Sequence, residues 1–85
     1  DERARALALP RALQATREAI VAGMPVAAAL AAGERTIKAA GFVRLDYLEQ
    51  VDGETLHSLG SAQPGARLMG AGVIGTTRLI DNIAL

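Results

Sequence analysis

The 85-residue chain is long enough for one small domain, whose folding buries only roughly 60–65% of the surface that the unfolded chain exposes. Nine basic residues balance nine acidic ones without the basic patch of a nucleic-acid-binding protein, and no apolar run approaches the ~20 residues that span a bilayer. The absence of cysteine excludes disulfides and thiolate metal sites, and it fits a cytoplasmic protein. Because the apolar residues are mostly Ala, Leu, Ile and Val, we expect part of the apolar surface to pack on something outside this chain.

Residues 1–23 are predicted to form one amphipathic helix with a kink at Pro10. Apolar residues recur at helical spacing, and Gly23 stands where a helix commonly ends. Because proline removes a backbone hydrogen bond and crowds the carbonyl four residues earlier, the alternative is that residues 1–8 form a separate turn. The kinked helix is preferred, since Ala- and Arg-rich sequence surrounds the proline on both sides. The positions at helical spacing are Leu9, Leu13, Thr16 and Ile20.

A second helix is predicted over residues 26–40, with Gly41 at its end. Val26, Leu30, Gly33 and Ile37 lie along one face. Glycine inside a helix costs about 1 kcal/mol relative to alanine, so we expect a close approach by the neighbouring helix at Gly33. The two helices are predicted to be antiparallel.

From Phe42 onwards the period changes from that of a helix to that of a strand. Val43, Leu45 and Tyr47 alternate with polar residues, and Leu48 breaks the alternation, which predicts a bulge or a covered far face. Residues 52–53 predict a turn, with the aspartate capping a single helical turn over 54–59 and a loop over 60–65.

The end of the chain carries two more predicted strands, 67–74 and 78–84. We expect them to pair as an antiparallel hairpin across residues 75–77. Either Leu79 or Ile80 must then face the core, because successive side chains of a strand point to opposite faces. The complete prediction is an α+β fold, in which two antiparallel helices pack on a small three-stranded antiparallel sheet.

Gly70, Gly72 and Gly75 form a G-x-G-x-x-G motif, which is typical of dinucleotide-binding loops. Such a loop requires a helix after the third glycine and an acidic residue about 20 positions further on, and too few residues follow Gly75 for this. We therefore interpret Gly70 and Gly72 as positions where a helix lies close to a strand, and Gly75 as a turn residue.

Few side chains are candidates for catalysis. His57 is the only histidine and lacks the converging partners of a metal site or a catalytic triad, so we expect it to be exposed. Nothing in the sequence holds the carboxylate pairs Asp46 with Glu49, or Asp52 with Glu54, in a cleft.

Arg78, Asp81 and Asn82 are the candidates for structural or substrate-facing contacts. Arg78 and Asp81 stand three apart in an apolar strand, hence on opposite faces, and each needs a partner or water. A salt bridge to Arg44 or Asp46 on a neighbouring strand is preferred to a ligand contact.

Three stretches carry a resemblance to a known family. RLMGAGVIGTTRLIDN, from Arg67 to Asn82, resembles the closing segment of the pantoate–β-alanine ligase (pantothenate synthetase) family. So does DYLE over residues 46–49, with Asp52 and Thr55-Leu56 after it, and the opening DERARALAL is similar to the start of the C-terminal domain of that family. The resemblance covers essentially all 85 residues, and GTTRLIDN is its most specific part.

The resemblance implies a single lid domain over residues 1–85, belonging to a larger enzyme whose N-terminal Rossmann-like half is absent here. The family joins pantoate and β-alanine with ATP and Mg²⁺ through a pantoyl-adenylate, and the intact enzyme is expected to be a cytoplasmic homodimer. No catalytic, cofactor-binding or metal-binding residue is transferred to this chain, which is expected to be inactive alone. Its partners would be its own N-terminal domain and, in the intact enzyme, the substrates. The alternative hypotheses are a stand-alone protein-interaction module and, third, a small nucleotide-binding protein.

Overall fold

The computed structural model describes residues 2–63 and 65–85. Asp1, in the first predicted helix, and Pro64, in the predicted loop, lie outside the described residues. The elements are α1 (Glu2–Ala6), α2 (Ala8–Val21), α3 (Val26–Ala39), β1 (Arg44–Asp52), β2 (Ala66–Ile74) and β3 (Thr77–Ala84). The strands form one antiparallel sheet in the order β1-β2-β3, with the helices packed against it. The predicted α+β fold is confirmed. Within the described part of the chain, no helix is both long and apolar enough to cross a membrane.

The first predicted helix is interrupted at Leu7, three residues before Pro10. Leu7 keeps right-handed helical backbone angles, φ −64° and ψ −14°, so the chain continues in the helical sense from α1 into α2. Pro10 falls in the first turn of α2, where proline is tolerated because those N–H groups have no partner inside the helix. The helix is therefore broken upstream of the proline, between α1 and α2. The prediction of one helix with a kink at Pro10 was wrong in this respect.

Glycines end α2 and α3, as predicted. Gly23 has φ +106°, its N–H donates to the carbonyl of Ile20, and the N–H of Met24 donates to the carbonyl of Ala19. This pair of bonds is a Schellman motif, which satisfies carbonyls that the helix end leaves free. Gly41 has φ +102° at the equivalent position after α3.

The helices touch where Gly33 of α3 faces Thr16 of α2. A Cβ atom on Gly33 would stand 2.6 Å from the Oγ1 atom of Thr16 and 2.9 Å from a methyl group of Leu48. The close approach predicted at Gly33 is confirmed, and it involves the sheet as well as the neighbouring helix.

Two groups of buried side chains fill the space between the layers. One lies around Leu9, Ile37 and Ile74, and the other around Leu13 and Leu68. Leu48 of β1 packs against both groups. At roughly 25 cal/mol per Å² of apolar surface, these contacts supply the main force that holds the layers together.

The hairpin of β2 and β3 turns through Gly75 and Thr76, with Ile74 paired to Thr77. Gly75 has φ +58° and Thr76 has no positive φ, as in a type II′ turn, which places glycine first. The predicted hairpin is confirmed. Of the two candidates for the core, Leu79 packs against the first buried group, whereas Ile80 is 58% exposed.

A bulge in β1 lies at Asp46, between the paired residues Leu45 and Tyr47. Of the two explanations for the break in alternation at Leu48, a bulge or a covered far face, the bulge is formed, with the extra residue two positions earlier. Because of it, Leu45 and Leu48 both face the helices.

The segment after β1 is a loop that folds back on the strand. The Oδ1 atom of Asp52 accepts hydrogen bonds from the N–H groups of Glu54 and Thr55, at 2.8 and 2.9 Å. Asp52 thus accepts the backbone N–H groups that a helix cap would accept, but it does so in a turn and not at the start of a helix. A helical turn over 54–59 is not formed as predicted, because Ser58 bridges back to Val51 and Leu56 takes a positive φ of 62°.

Candidate functional site

The sheet has one side packed on the helices, and no described helix packs on the opposite side, where Val51 and Ala71 are nevertheless buried. A Cβ atom on Gly70 would meet Leu9 and Leu13 of α2, so the even-numbered positions of β2 face the helices. The alternation of side chains and the strand register then show which residues lie on the opposite side, which we call the outer face. Its residues are Arg44, Tyr47, Glu49 and Val51 of β1, Arg67, Met69, Ala71 and Val73 of β2, and Arg78, Ile80, Asn82 and Ala84 of β3.

At one end of the outer face, two arginines share one carboxylate. Arg44 Nε donates to Asp46 Oδ1 at 2.6 Å, and Arg78 Nε donates to Asp46 Oδ2 at 2.8 Å. The bulge in β1 makes this possible, since it places Asp46 outside the regular pairing. The sequence predicted that Arg78 or Asp81 forms a salt bridge with Asp46 or Arg44. The salt bridge between Arg78 and Asp46 is formed.

The arginines also change the ionisation of this carboxylate. Hydrogen bonds from the Arg44 side chain and then from Arg78 lower the pKa of Asp46 below its ordinary value of 3.8. Hydrogen bonds from the backbone N–H groups of Thr55 and then Glu54 lower the pKa of Asp52 in the same way.

Acid is therefore expected to destabilise the fold through Asp46. Because its pKa is lower in the folded than in the unfolded chain, its contribution is present above pH 3.8 and is lost as pH falls through the folded-state value. In thermal melts from about pH 5 to about pH 2, Asp46→Asn should lose less stability than the parent. Glu54→Gln is the control, because no described residue donates to its carboxylate. Equal acid sensitivity of the parent and Asp46→Asn would contradict the prediction.

Asn82 lies at the other end of the outer face. Its Oδ1 atom accepts hydrogen bonds from Nε and Nη2 of Arg67, at 3.0 and 2.6 Å. Both side chains are thus engaged in a bond between β2 and β3, and this is a structural contact of the kind proposed for Asn82.

Asp81 lies on the helix side of the sheet, opposite Arg78 and Asn82. Its Oδ1 atom accepts the N–H of Asn82 at 2.8 Å. No ion pair joins Asp81 to any of the residues described. The prediction that Arg78 and Asp81 occupy opposite faces is confirmed, and the structure does not bring the three candidates into one cluster.

The other candidates from the sequence are also dispersed. His57 is exposed, as expected, and Glu49 accepts a hydrogen bond from Ser58 Oγ at 2.7 Å while Asp46 contacts arginines. In residues 2–63 and 65–85, no three His, Cys, Asp or Glu side chains are grouped so that they could hold a metal ion.

The glycine motif lies in β2 and in the turn that follows. Gly70 contacts α2, as interpreted, whereas a Cβ atom on Gly72 would meet the Phe42 ring and the carbonyl oxygen of Arg44, both at 2.9 Å. The element that follows Gly75 is a strand, so the helix of a dinucleotide-binding loop is absent from its required place.

Gln50 is a buried polar residue that the sequence pattern did not single out. Its Nε2 atom donates to the carbonyl of Ser61 at 2.7 Å, and its Oε1 atom has no partner among the described residues. The bond holds the loop after β1 against the strand. The sequence of β1 does not indicate this role of Gln50, because the side chain binds a backbone carbonyl in an irregular loop.

Comparison with known proteins identifies the family. The model of the family described as pantoate-beta-alanine ligase matches residues 1–84. The chain is 49% identical over 84 residues to a pantothenate synthetase of Acidiphilium cryptum, covering 99% of this chain and 30% of that protein. It is 52% identical over 82 residues to one of Anaeromyxobacter dehalogenans, covering 96% and 28%. The chain thus spans less than a third of the length of these relatives.

A solved structure agrees with this result. The crystal structure of pantothenate synthetase from Thermus thermophilus superposes with a TM-score of 0.82 at 45% identity, covering 91% of this chain and 28% of that one. Fold and sequence therefore point to the same assignment, and the chain belongs to the pantoate–β-alanine ligase family.

Proposed function

We propose that the chain is the C-terminal lid domain of a pantothenate synthetase, the ligase that condenses pantoate and β-alanine. Sequence identity of 49% to a pantothenate synthetase over 99% of this chain carries the proposal. The chain covers 30% of the length of that relative, so more than two thirds of the relative remains to hold the reaction centre.

The two-layer architecture suits a cover. An acyl-adenylate is readily hydrolysed, so an enzyme that forms one gains from a domain that excludes water from its cavity. The sheet offers a partly apolar outer face for this purpose, and the helices pack on its other side. The candidates Arg78 and Asn82 lie on that face, which would place them towards the cavity.

ATP and Mg²⁺ belong to the rest of the enzyme in this proposal. Their chemistry would convert pantoate into pantoyl-adenylate, with release of pyrophosphate, before β-alanine displaces AMP. The described residues offer no metal-binding group and no phosphate-binding glycine loop. The contribution of this chain is to orient its outer face and exclude water.

The intact ligase is further proposed to be a cytoplasmic homodimer that assembles through its other part. A stand-alone interaction module is the alternative function, and the exposed Ile80 on the outer face would serve that role as well. An upstream reading frame that continues into a histidine-bearing Rossmann-like domain would favour the lid, whereas a start codon just upstream would favour the module.

A chimera tests the lid proposal directly. The segment of the Thermus thermophilus enzyme that matches this chain would be replaced by the 85 residues, and pantothenate and AMP would both be measured. We expect the chimera to form pantothenate. The same enzyme without the segment should lose pantothenate formation or release AMP without a matching amount of pantothenate, and the isolated chain should show no turnover.

Two results would contradict the proposal. If the enzyme without the segment kept the intact enzyme's turnover and its ratio of pantothenate to AMP, the segment would not be a lid. If the isolated chain formed pantothenate, the assignment of the reaction to the rest of the ligase would be wrong.

A further inference from the structure

The two surfaces of the domain differ in their capacity to contact an organic ligand. On the outward side of α2 and α3, the exposed residues are mainly alanine and charged or polar side chains, such as Gln14, Glu18 and Arg35. On the outer face, Tyr47 and Ile80 stand on the two edge strands in register with Ala71, which is fully buried between them. A side of an antiparallel sheet that faces only water usually carries polar side chains, and Ile80 departs from this pattern with 58% of its surface exposed.

A charged row adjoins Tyr47, Ala71 and Ile80. Arg44, Val73 and Arg78 are paired across the strands, so the two guanidinium groups flank a valine. The carboxylate of Asp46 holds both guanidinium groups, through Nε and Nη2 of Arg44 and Nε of Arg78. Two cations therefore share one anion, and the cluster keeps an excess positive charge in a chain whose formal net charge is zero.

Most N–H donors of these arginines are still available. Each guanidinium carries five N–H groups, and no described residue accepts from Nη1 of Arg44 or from Nη1 and Nη2 of Arg78. The side chains are 62% and 48% exposed, so a ligand can reach them. Because Asp46 already fixes their orientation, less side-chain entropy remains to be lost when a further acceptor binds.

We propose that Arg44 and Arg78 form an oxyanion-binding site on the outer face, which receives a carboxylate or phosphate group of a ligand of the ligase while the apolar part of that ligand lies against Tyr47 and Ile80. The inference rests on the proposed function, since it requires the outer face to be turned towards the cavity. Planar guanidinium groups are suited to both anions, because they donate two parallel hydrogen bonds to carboxylate or phosphate oxygens.

Binding to the 85-residue chain itself is the first test. Pantoate and inorganic pyrophosphate would each be titrated while the Nε–H signals of the arginines are followed by NMR. We expect the signals of Arg44 and Arg78 to shift with at least one of the two anions, while that of Arg35 on α3 stays in place. Absence of any shift with both anions would overturn the site. An equal shift at Arg35 would mean an adventitious ion only and would overturn it as well.

Kinetics of the chimera are the second test, with Arg44→Gln and Arg78→Gln as variants and Arg35→Gln as the matched control. We expect the KM for one anionic substrate to rise about tenfold, which is the effect of losing one charge-assisted hydrogen bond. A rise for ATP identifies a phosphate as the ligand group, and a rise for pantoate or β-alanine identifies a carboxylate.

The variants also separate binding from folding. Unchanged KM values for all three substrates in an active chimera would overturn the site, and so would an equal rise in Arg35→Gln. A merely structural arginine would lower the melting temperature without raising the KM of any one substrate. If the chimera is inactive, the proposed function fails, and the NMR titration still decides whether the arginines bind an oxyanion.

Discussion

Leu79→Asp should unfold the domain, whereas Ile80→Asp, one residue further along, should leave it folded. Leu79 faces the helices and packs against the buried group around Leu9, Ile37 and Ile74. The substitution removes apolar contact and brings a carboxylate against this buried apolar group, for a combined cost of about 3 kcal/mol or more. A domain of this size has little more stability than that to lose.

Ile80→Asp is the matched control, because it introduces the same carboxylate on a side chain that is 58% exposed. Urea denaturation followed by circular dichroism would measure both. We expect Ile80→Asp to keep the parent's free energy of unfolding to within about 0.5 kcal/mol, as is usual for surface substitutions. Parent-like unfolding of Leu79→Asp, or a loss of structure in Ile80→Asp, would mean that the sides of β3 are assigned wrongly.

Gly72→Val should be equally damaging for a different reason. A Cβ atom at this position would stand 2.9 Å from the backbone oxygen of Arg44 and 2.9 Å from the ring of Phe42. The ring can move, but the backbone oxygen belongs to the neighbouring strand and cannot move without disturbing the pairing. We expect the free energy of unfolding to fall by about 3 kcal/mol, which is the upper end of the usual cost of overpacking a core. The same urea experiment would measure it.

Gly60→Val is the control for this substitution, since nothing lies within 4 Å of the added atom. Its unfolding midpoint should match that of the parent. If Gly72→Val were as stable as Gly60→Val, then β1 and β2 would not be in contact as described.

The effect of Gly72→Val also bears on the nucleotide hypothesis. A variant that unfolds loses any ligand, so loss of binding in Gly72→Val would not identify Gly70, Gly72 and Gly75 as a nucleotide loop. Calorimetry of the unmodified chain with ATP and NAD is the informative measurement. Micromolar binding would support the hypothesis, and its absence would remove it.

Much of the fold could be predicted from the sequence because local signals were strong. Glycines at the ends of α2 and α3, alternation in β1 and the short hairpin at Gly75 each indicate their structure through nearby residues. The turn at Asp52 could be recognised for the same reason, since the N–H groups bound by its side chain are two and three residues away.

The remainder depends on contacts between distant segments. The position of the bulge at Asp46 follows from the pairing of β1 with β2, which β1 alone does not specify. The backbone around Ser58 returns to the sheet, because the N–H of Leu59 donates to the carbonyl of Gln50 and the N–H of Asp52 donates to the carbonyl of His57. These bonds compete with the helical turn that was predicted.

The candidate site shows the same division. The pair of Arg78 and Asp46 could be foreseen from their opposite charges. The expectation that their strands are neighbours was wrong, because β2 lies between β1 and β3 and the Arg78 side chain reaches Asp46 across it. The third member, Arg44, was considered only as a partner for Asp81, which lies on the other side of the sheet. The bond between Arg67 and Asn82 was not foreseen either, since it requires the register of β2 against β3.

The central position of β2 has a consequence for synthesis of the protein. The helices and β1 leave the ribosome first, yet both buried groups include a residue of β2, Ile74 in one and Leu68 in the other. Helices of about 14 residues are marginal in water without a packing partner. The domain therefore cannot reach its native structure cotranslationally until residues 66–74 have emerged, and until then its apolar helix faces are available to chaperones.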